Sequence, residues 1–189
     1  MFSDRTRKRA KSLGWAVGLG LVVLWVATAT VGGAPPGPRD SYFFVPGNHG
    51  VLHGATEEAF LRHWGQGDVS IYATKDGEKE IVFPLALLGI FVADPVELVE
   101  VAFSFKTWGE LTRITRVRVY RTKLDGSYRT ILDERPAEGW TDPEWRVLTF
   151  PITSDDLIAV DDGQVAVRVT CFIPEGQRVE FTGVRLRVK

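Results

Sequence analysis

The sequence predicts an all-β protein, an antiparallel two-sheet jelly-roll sandwich with one short helix, preceded by an N-terminal transmembrane helix. Eight or nine short segments alternate apolar and polar residues, the period of a half-buried β-strand. Turn signals such as Asp125-Gly126 separate these segments, as is typical of antiparallel sandwiches. Nineteen residues without a charge, at positions 13–31, precede them and have the length of a membrane span.

The N-terminal segment predicts where the protein works. Residues 1–12 form a basic head with five cations and one acid, which the positive-inside rule places in the cytoplasm. As a helix, residues 13–31 rise by roughly 28 Å, close to the roughly 30 Å of a bilayer core. We therefore expect a single-pass membrane protein with a cytoplasmic N-terminus and an extracytoplasmic C-terminal domain.

Two further interpretations of this segment stay open. Ala27-Thr28-Ala29 resembles a signal-peptidase site, and cleavage there would make the protein secreted rather than anchored. Gly14 and Gly18 have the G-x-x-x-G spacing that lets membrane helices approach closely, so a homo-oligomer through this pair is one hypothesis. The alternative is that these glycines reflect the general frequency of glycine in membrane helices.

Residues 32–40 form a Pro/Gly linker, and residues 41–189 form the extracytoplasmic domain. After position 34 the chain has five more acidic than basic residues, which argues against a nucleic-acid partner. The one cysteine, Cys171, has no second cysteine to pair with. It alternates with the apolar, inward-facing residues of its predicted strand, which predicts a small buried hydrophobe.

Local patterns predict the elements of the domain. Residues 42–45 read as an aromatic strand, and residues 56–64 as the one soluble helix, with Thr56 as N-cap and Phe60 and Trp64 on its packing face. A turn at 75–77 predicts a hairpin between 69–71 and 81–83. A change of inward parity at Thr182-Gly183 predicts a β-bulge in the last strand. The remaining predicted strands are 96–106, 114–122, 128–132, 146–152, 165–173 and 179–188.

The succession FPLAL, VEVAFSF, ITRVRVYR, a hairpin and a closing VEFTGVRLRV resembles galactose-binding-like β-jelly-roll domains, including those of small bacterial secreted or membrane-anchored proteins without an assigned function. The resemblance covers roughly residues 42–189 and is one of strand spacing. It implies a carbohydrate-binding, adhesive or structural module. It transfers no individual binding residue.

Loop tryptophans are the main candidates for ligand binding. Trp108, Trp140 and Trp145, together with Asp142 and Glu144, contain the parts of a lectin-like site, because sugars stack on aromatic faces while carboxylates bind their hydroxyls. Packing in the core is the alternative for each tryptophan.

Four aspartates predict a second kind of site. Asp155, Asp156, Asp161 and Asp162 flank residues 157–160, and loop carboxylates are the usual ligands of a structural calcium ion. The alternative is turn formation and solvation. No other cofactor is expected. The three histidines, His49, His53 and His63, are interpreted as solvent-exposed, with a metal site as the less favoured alternative.

Four alternating arginines, Arg116, Arg118, Arg185 and Arg187, predict a solvated sheet face, with a patch for acidic polymers or lipid headgroups as the alternative. No nucleophile, P-loop, H-E-x-x-H or C-x-x-C motif is present. We expect a non-catalytic, membrane-anchored binding or structural module with a glycan or envelope-protein partner. Its alternatives are a lectin-like carbohydrate-binding module and a secreted hydrolase.

Overall fold

The computed structural model describes residues 41–54, 56–85, 96–123, 125–153, 157–158 and 164–189, which all belong to one compact unit. Short 3₁₀ turns cover Gly47–His49 and Thr56–Glu58. The strands in these residues are β1 (Ser41–Pro46), β2 (Val51–His53), β3 (Ala59–His63), β4 (Val69–Ala73), β5 (Gly77–Leu85), β6 (Val96–Trp108), β7 (Arg113–Thr122), β8 (Tyr128–Glu134), β9 (Arg146–Pro151), β10 (Leu157–Ile158), β11 (Gln164–Ile173) and β12 (Arg178–Val188).

The strands form two sheets, and all the described pairs of neighbouring strands within each sheet are antiparallel. A five-stranded sheet has the order β2-β5-β11-β7-β8. A seven-stranded sheet has the order β10-β6-β12-β4-β3, with β1 also paired to β12 and β9 to β6. This arrangement confirms the predicted all-β, two-sheet sandwich and fits a jelly roll.

The core lies between the sheets and is built by the period-two alternation of their strands. Phe83 of the five-stranded sheet meets Phe181 of the seven-stranded sheet edge to face, with ring centroids 5.7 Å apart. Both side chains are fully buried, and burial of one such side chain contributes about 1.5–3 kcal/mol. Cys171 is buried among them, as predicted, and burial raises the pKa of its thiol.

A bulge in β12 changes which of its side chains face the core. Phe181 pairs with Phe105, but the next paired residue is Gly183, opposite Ser104, so Thr182 is the extra residue. Phe181 and Val184 can therefore both point inward and are fully buried. The structure confirms the bulge that the sequence predicts at this position.

The predicted soluble helix at 56–64 is wrong. Only Thr56–Glu58 is helical, as a 3₁₀ turn, and the following residues form β3, which pairs with β4 along its length. In this strand Ala59 is buried and Leu61 packs against the core, while Phe60 is exposed. Glu58 accepts hydrogen bonds from Lys75 and from the buried Lys79. These partners are distant in the sequence, so the residues that signal a helix start cannot reveal them.

The hairpin predicted around residues 75–77 is also wrong. β4 belongs to the seven-stranded sheet and β5 to the five-stranded sheet, so the turn carries the chain from one sheet to the other. Turn residues specify that the chain reverses, but not whether the two strands then hydrogen-bond. By contrast, the turn after β7 does form the predicted hairpin, in which β7 pairs with β8.

The predicted cytoplasmic head, transmembrane segment and linker, residues 1–40, lie outside the described residues, as does the Gly14/Gly18 pair. Within the described ranges, no helix is long and apolar enough to span a bilayer.

Candidate functional site

A row of large side chains crosses the outer face of the seven-stranded sheet. Strand register creates it, because Phe60 lies opposite Tyr72, and Arg178 lies between Tyr72 and Trp108. Paired residues of neighbouring strands project to the same side of a sheet. We call Phe60, Tyr72, Arg178 and Trp108 the aromatic row.

The aromatic row is held by stacking yet remains open to solvent. The rings of Phe60 and Tyr72 are nearly parallel, with an interplanar angle of 3° and centroids 5.1 Å apart. The Arg178 guanidinium carbon lies 5.4 Å from the Tyr72 ring centroid and 4.0 Å from that of Trp108. Phe60 is 51% exposed and Trp108 is 41% exposed, so large aromatic surfaces face the solvent.

A pocket of about 540 Å³ adjoins the row, and Arg178 belongs to both. We call it the acidic pocket. It is lined by Trp64, Gly65, Gln66, Asp68, Arg178 and Glu180. Its volume lies within the range of small-molecule sites, and it combines an indole ring with two carboxylates, an amide and a guanidinium.

Hydrogen bonds fix the inner wall of the acidic pocket. The Trp64 indole Nε1 donates to Ser70 Oγ at 2.8 Å, and Ser70 Oγ donates to Glu180 Oε1 at 3.3 Å. Arg178 Nε donates to the same Glu180 oxygen at 2.9 Å. The indole and the carboxylate are therefore oriented before any ligand arrives, which lowers the entropic cost of binding.

The rim of the pocket is the tight loop between β3 and β4. The Trp64 amide donates to the Asp68 carbonyl at 2.9 Å, and the Gly67 amide donates to the Trp64 carbonyl at 3.1 Å. Gly67 has a φ of 93°, a conformation that favours glycine. Burial, with a smaller contribution from nearby Glu180, raises the pKa of the Asp68 carboxyl.

The structure keeps three of the five predicted lectin-like residues close together at the end of β6, namely Trp108, Asp142 and Glu144. Trp108 lies in the aromatic row, and Lys106 Nζ lies 4.6 Å from its ring centroid and 3.7 Å from Glu144 Oε2. Trp145 is exposed. Trp140 instead packs against the core, with its ring centroid 5.5 Å from that of Phe150.

Asp142 has a local structural role. Its carbonyl oxygen accepts hydrogen bonds from the Thr107 amide and hydroxyl, and its carboxylate accepts one from the Glu144 amide. These bonds attach the loop that carries Glu144 and Trp145 to the end of β6. The ligand contacts proposed for Asp142, Glu144 and Trp145 remain predictions.

Sequence reasoning missed most of the aromatic row and the acidic pocket. Phe60, Arg62 and Trp64 occur at every second position, a strand signal that the helix-start residues before them obscured. Tyr72 and Arg178 show no signal by themselves. Their neighbourhood depends on β12 pairing with β4 and β6, which are 70 or more positions away in the chain.

The predicted calcium ligands Asp155, Asp156, Asp161 and Asp162 lie outside the described residues. Among the residues that the structure describes, no group of three or more His, Cys, Asp or Glu side chains is arranged to hold a metal ion.

The four predicted arginines do not form one patch. Arg116 and Arg118 lie in the five-stranded sheet, while Arg185 and Arg187 lie in the seven-stranded sheet. The first two pair with Asp133 and Glu80 respectively, and the second two share Glu100. They are ion-paired residues on two outer faces.

Comparison with known proteins finds no matching family model and no matching curated protein. Three solved structures with similar folds are carbohydrate-binding modules, each with a TM-score of 0.47. The family 29 module CBM29_1 of Piromyces equi is 11% identical, and the match covers 79% of this chain and 91% of that one. The xylan-binding module CBM15 is 17% identical, with coverage of 79% and 97%. The CBM22-2 xylan-binding domain of Paenibacillus barcinonensis Xyn10C is 12% identical, with coverage of 78% and 99%.

Proposed function

We propose that this protein is a non-catalytic carbohydrate-binding module, and that the aromatic row and the acidic pocket form its ligand site. The observation that carries the proposal is the exposure of Trp108 and Phe60 in one stacked row that leads into a pocket lined by carboxylates. Of the functions that the sequence predicts, this one uses both features.

The chemistry of the site fits a sugar chain. Faces of pyranose rings carry C–H groups that pack against aromatic rings, whose faces are electron-rich. Hydroxyl groups next to those faces can donate to Asp68 and Glu180 and accept from Arg178. Neighbouring strands are about 4.8 Å apart, so four strands present a row roughly 14 Å long, which suits an elongated ligand.

The arrangement favours binding over hydrolysis. Glycoside hydrolysis needs two carboxyl groups that flank the bond to be cleaved, one of them free to act as nucleophile or base. Glu180 is already engaged by Arg178 and Ser70, and it lies on an outer sheet face. In our proposal both carboxyl groups are hydrogen-bond acceptors for ligand hydroxyls.

We also propose that residues 13–31 anchor the protein in a membrane and that the domain works on the extracytoplasmic side. This part rests on the uncharged segment and the basic head before it. A glycan of the cell envelope, or an envelope protein that carries one, would be the partner. Protease accessibility of the domain in intact cells, compared with lysed cells, tests this orientation.

The experiment that tests the function is a glycan array with the full-length chain in a neutral detergent, followed by titration of the best ligand. We expect Trp108→Ala and Phe60→Ala each to weaken binding at least tenfold, because a few large aromatic contacts usually dominate binding energies. Tyr42→Ala is the matched control, since Tyr42 is an exposed aromatic residue outside the row and the pocket. It should leave the affinity unchanged.

Two outcomes would overturn the proposal. One is the absence of any glycan ligand for a chain whose fold is verified by circular dichroism. The other is equal weakening by Tyr42→Ala and Trp108→Ala, which would indicate nonspecific adhesion. Release of shorter sugars during incubation with the array ligand would refute the non-catalytic part.

A further inference from the structure

A second pocket lies on the opposite outer face, that of the five-stranded sheet. Its volume is about 320 Å³, at the lower end of the range for small-molecule sites. We call it the arginine pocket. It is lined by Val82, Arg118, Tyr120, Thr122, Tyr128, Ala166 and Arg168. These residues include two guanidinium groups and three hydroxyl groups but no carboxylate.

The two arginines of this pocket are direct neighbours. Arg118 of β7 and Arg168 of β11 are paired in the antiparallel register, and like charges in such a pair repel each other. They share one carboxylate, that of Glu80. Arg118 Nη2 donates to Glu80 Oε1 at 2.6 Å, and Arg168 Nη1 donates to Glu80 Oε2 at 3.4 Å.

Each carboxylate oxygen of Glu80 already has two polar neighbours. Thr170 Oγ1 donates to Glu80 Oε1 at 3.1 Å, and His53 Nδ1 lies 3.2 Å from Oε2. One negative charge therefore offsets two guanidinium charges. Arg116 on the same strand is bound more closely, because its Nε and Nη2 donate to Asp133 at 2.7 and 2.6 Å, and Arg135 contacts the same carboxylate only at 3.5 Å.

The two arginines that share Glu80 also have hydrogen-bond donors without an acceptor among the described residues. The Nε atoms of Arg118 and Arg168 are buried and have no hydrogen-bond partner in the described part of the chain. Their guanidinium carbons lie 5.4 and 5.1 Å from the Tyr120 ring centroid. Both cations are thus held over one aromatic ring, and Tyr128 meets the same ring edge to face at 5.8 Å.

We propose that the arginine pocket binds a sugar acid, with the uronate carboxylate between Arg118 and Arg168 and the sugar ring against the tyrosines. A carboxylate would offset the second guanidinium charge, and guanidinium–carboxylate hydrogen bonds are among the strongest in proteins. The tyrosine rings and the apolar floor of Val82 and Ala166 suit the ring face. This site is independent of the aromatic row, which lies on the other sheet.

The test compares two forms of one ligand. Oligogalacturonate and its methyl ester share the same rings, but only the acid carries a charge, and both are titrated into the full-length chain at fixed ionic strength. We expect the acid to bind at least tenfold more tightly. Arg168→Met should reduce acid affinity at least tenfold and leave ester affinity unchanged, while Arg168→Lys should have an intermediate effect.

The control is Arg116→Met, which removes the same charge from the same face outside the pocket, and it should change acid affinity less than twofold. Equal affinity for acid and ester would overturn the proposal, and this result needs no variant. Equal loss in Arg116→Met and Arg168→Met would show generic charge attraction and also overturn it. Two further results would overturn the proposal. One is that Trp108→Ala loses the preference for the acid over the ester. The other is that free sulfate, at the same concentration as the oligogalacturonate, displaces it from the protein.

Discussion

The guanidinium carbon of Arg178 lies 4.0 Å from the centroid of the Trp108 ring, while Arg178 Nε hydrogen-bonds to Glu180. One side chain thereby supports the exposed indole and orients a carboxylate of the acidic pocket. The row and the pocket are consequently parts of one surface, and a ligand that crosses both would contact Arg178 near its middle.

Arg178→Lys keeps the charge but removes the flat group that stacks on Trp108 and Tyr72. We expect glycan affinity to fall several-fold and the free energy of unfolding to decrease by about 0.5–1 kcal/mol, as for exposed cation–π contacts. Calorimetric titration and urea unfolding measure the two effects. Arg185→Lys is the control, because Arg185 lies over Tyr42 on the same sheet. It should lower stability without changing affinity.

Asp68→Asn should alter the pH dependence of stability. Burial raises the Asp68 pKa, so the folded state holds this proton to a higher pH than the unfolded state, whose value is near 3.8. The contribution of this group to the stability of the folded state is therefore full below about pH 3.8. It decreases as the pH rises from there through the higher pKa of the folded state. The asparagine variant lacks this decrease.

Thermal unfolding between pH 3 and pH 7 measures the difference. The gain in stability of Asp68→Asn over the wild type should grow with pH and then level off. Its glycan affinity should fall about fivefold or more, since an acceptor carboxylate is lost. A constant difference across the pH range would contradict the assigned direction of the pKa shift.

Asp133→Asn should have the opposite pH dependence. Hydrogen bonds from Arg116 lower the pKa of Asp133 from 3.8 to about 2. Its contribution to stability is therefore present above about pH 4 and is lost as the pH falls towards 2. Because the pair is partly solvent-exposed, we expect the variant to lose only about 0.5–1 kcal/mol at pH 7.

Urea unfolding at pH 7 and near pH 2 tests the Asp133 prediction, and the loss should be much smaller at the lower pH. Arg135→Met provides a comparison, because Arg135 contacts Asp133 at the longer distance of 3.5 Å. It should cost less than Arg116→Met. The reverse order would show that the Arg116 pair is not the cause of the lowered pKa.

Gly183→Ala should destabilise the domain by about 1–3 kcal/mol. A Cβ atom at this position would collide with the Val45 carbonyl oxygen, which belongs to the backbone of β1. Gly183 also has a φ of 149°, so it is extended in a way that L-residues rarely adopt. Gly65→Ala is the control, since a Cβ there meets no atom within 4 Å. Chemical unfolding of both variants should show a loss for Gly183→Ala alone.

Alternation along single strands was predictable because it depends on residues two positions apart. Val117 and Val119 of β7 are fully buried, as the pattern requires, and the parity change at Gly183 located the bulge. The sheet to which a strand belongs was not predictable in this way. Residues 75–77 predict a reversal correctly, yet β4 and β5 hydrogen-bond to different partners far away in sequence.

The sequence could predict a residue of the candidate site only where the type of that residue and its immediate neighbours indicated an exposed position. Trp108 is a large aromatic residue before a glycine, and it is indeed exposed. Trp140 has a similar local setting, but its isolated bridge to Ile114 directs it to the core. The helix signals at Thr56 to Glu58 describe a real turn, but pairing with β4 determines the conformation of the residues that follow.

The pairing of β1 with β12 brings Ser41 opposite Val188, so the start of β1 and the end of β12 lie side by side at one end of the seven-stranded sheet. Paired Cα atoms in antiparallel strands are only about 5 Å apart. A short peptide could therefore join the two ends, and new ends could be opened at the exposed Gly126 turn. Such a circular permutant would retain every described strand pairing, and its new ends would lie in the five-stranded sheet instead of the seven-stranded one.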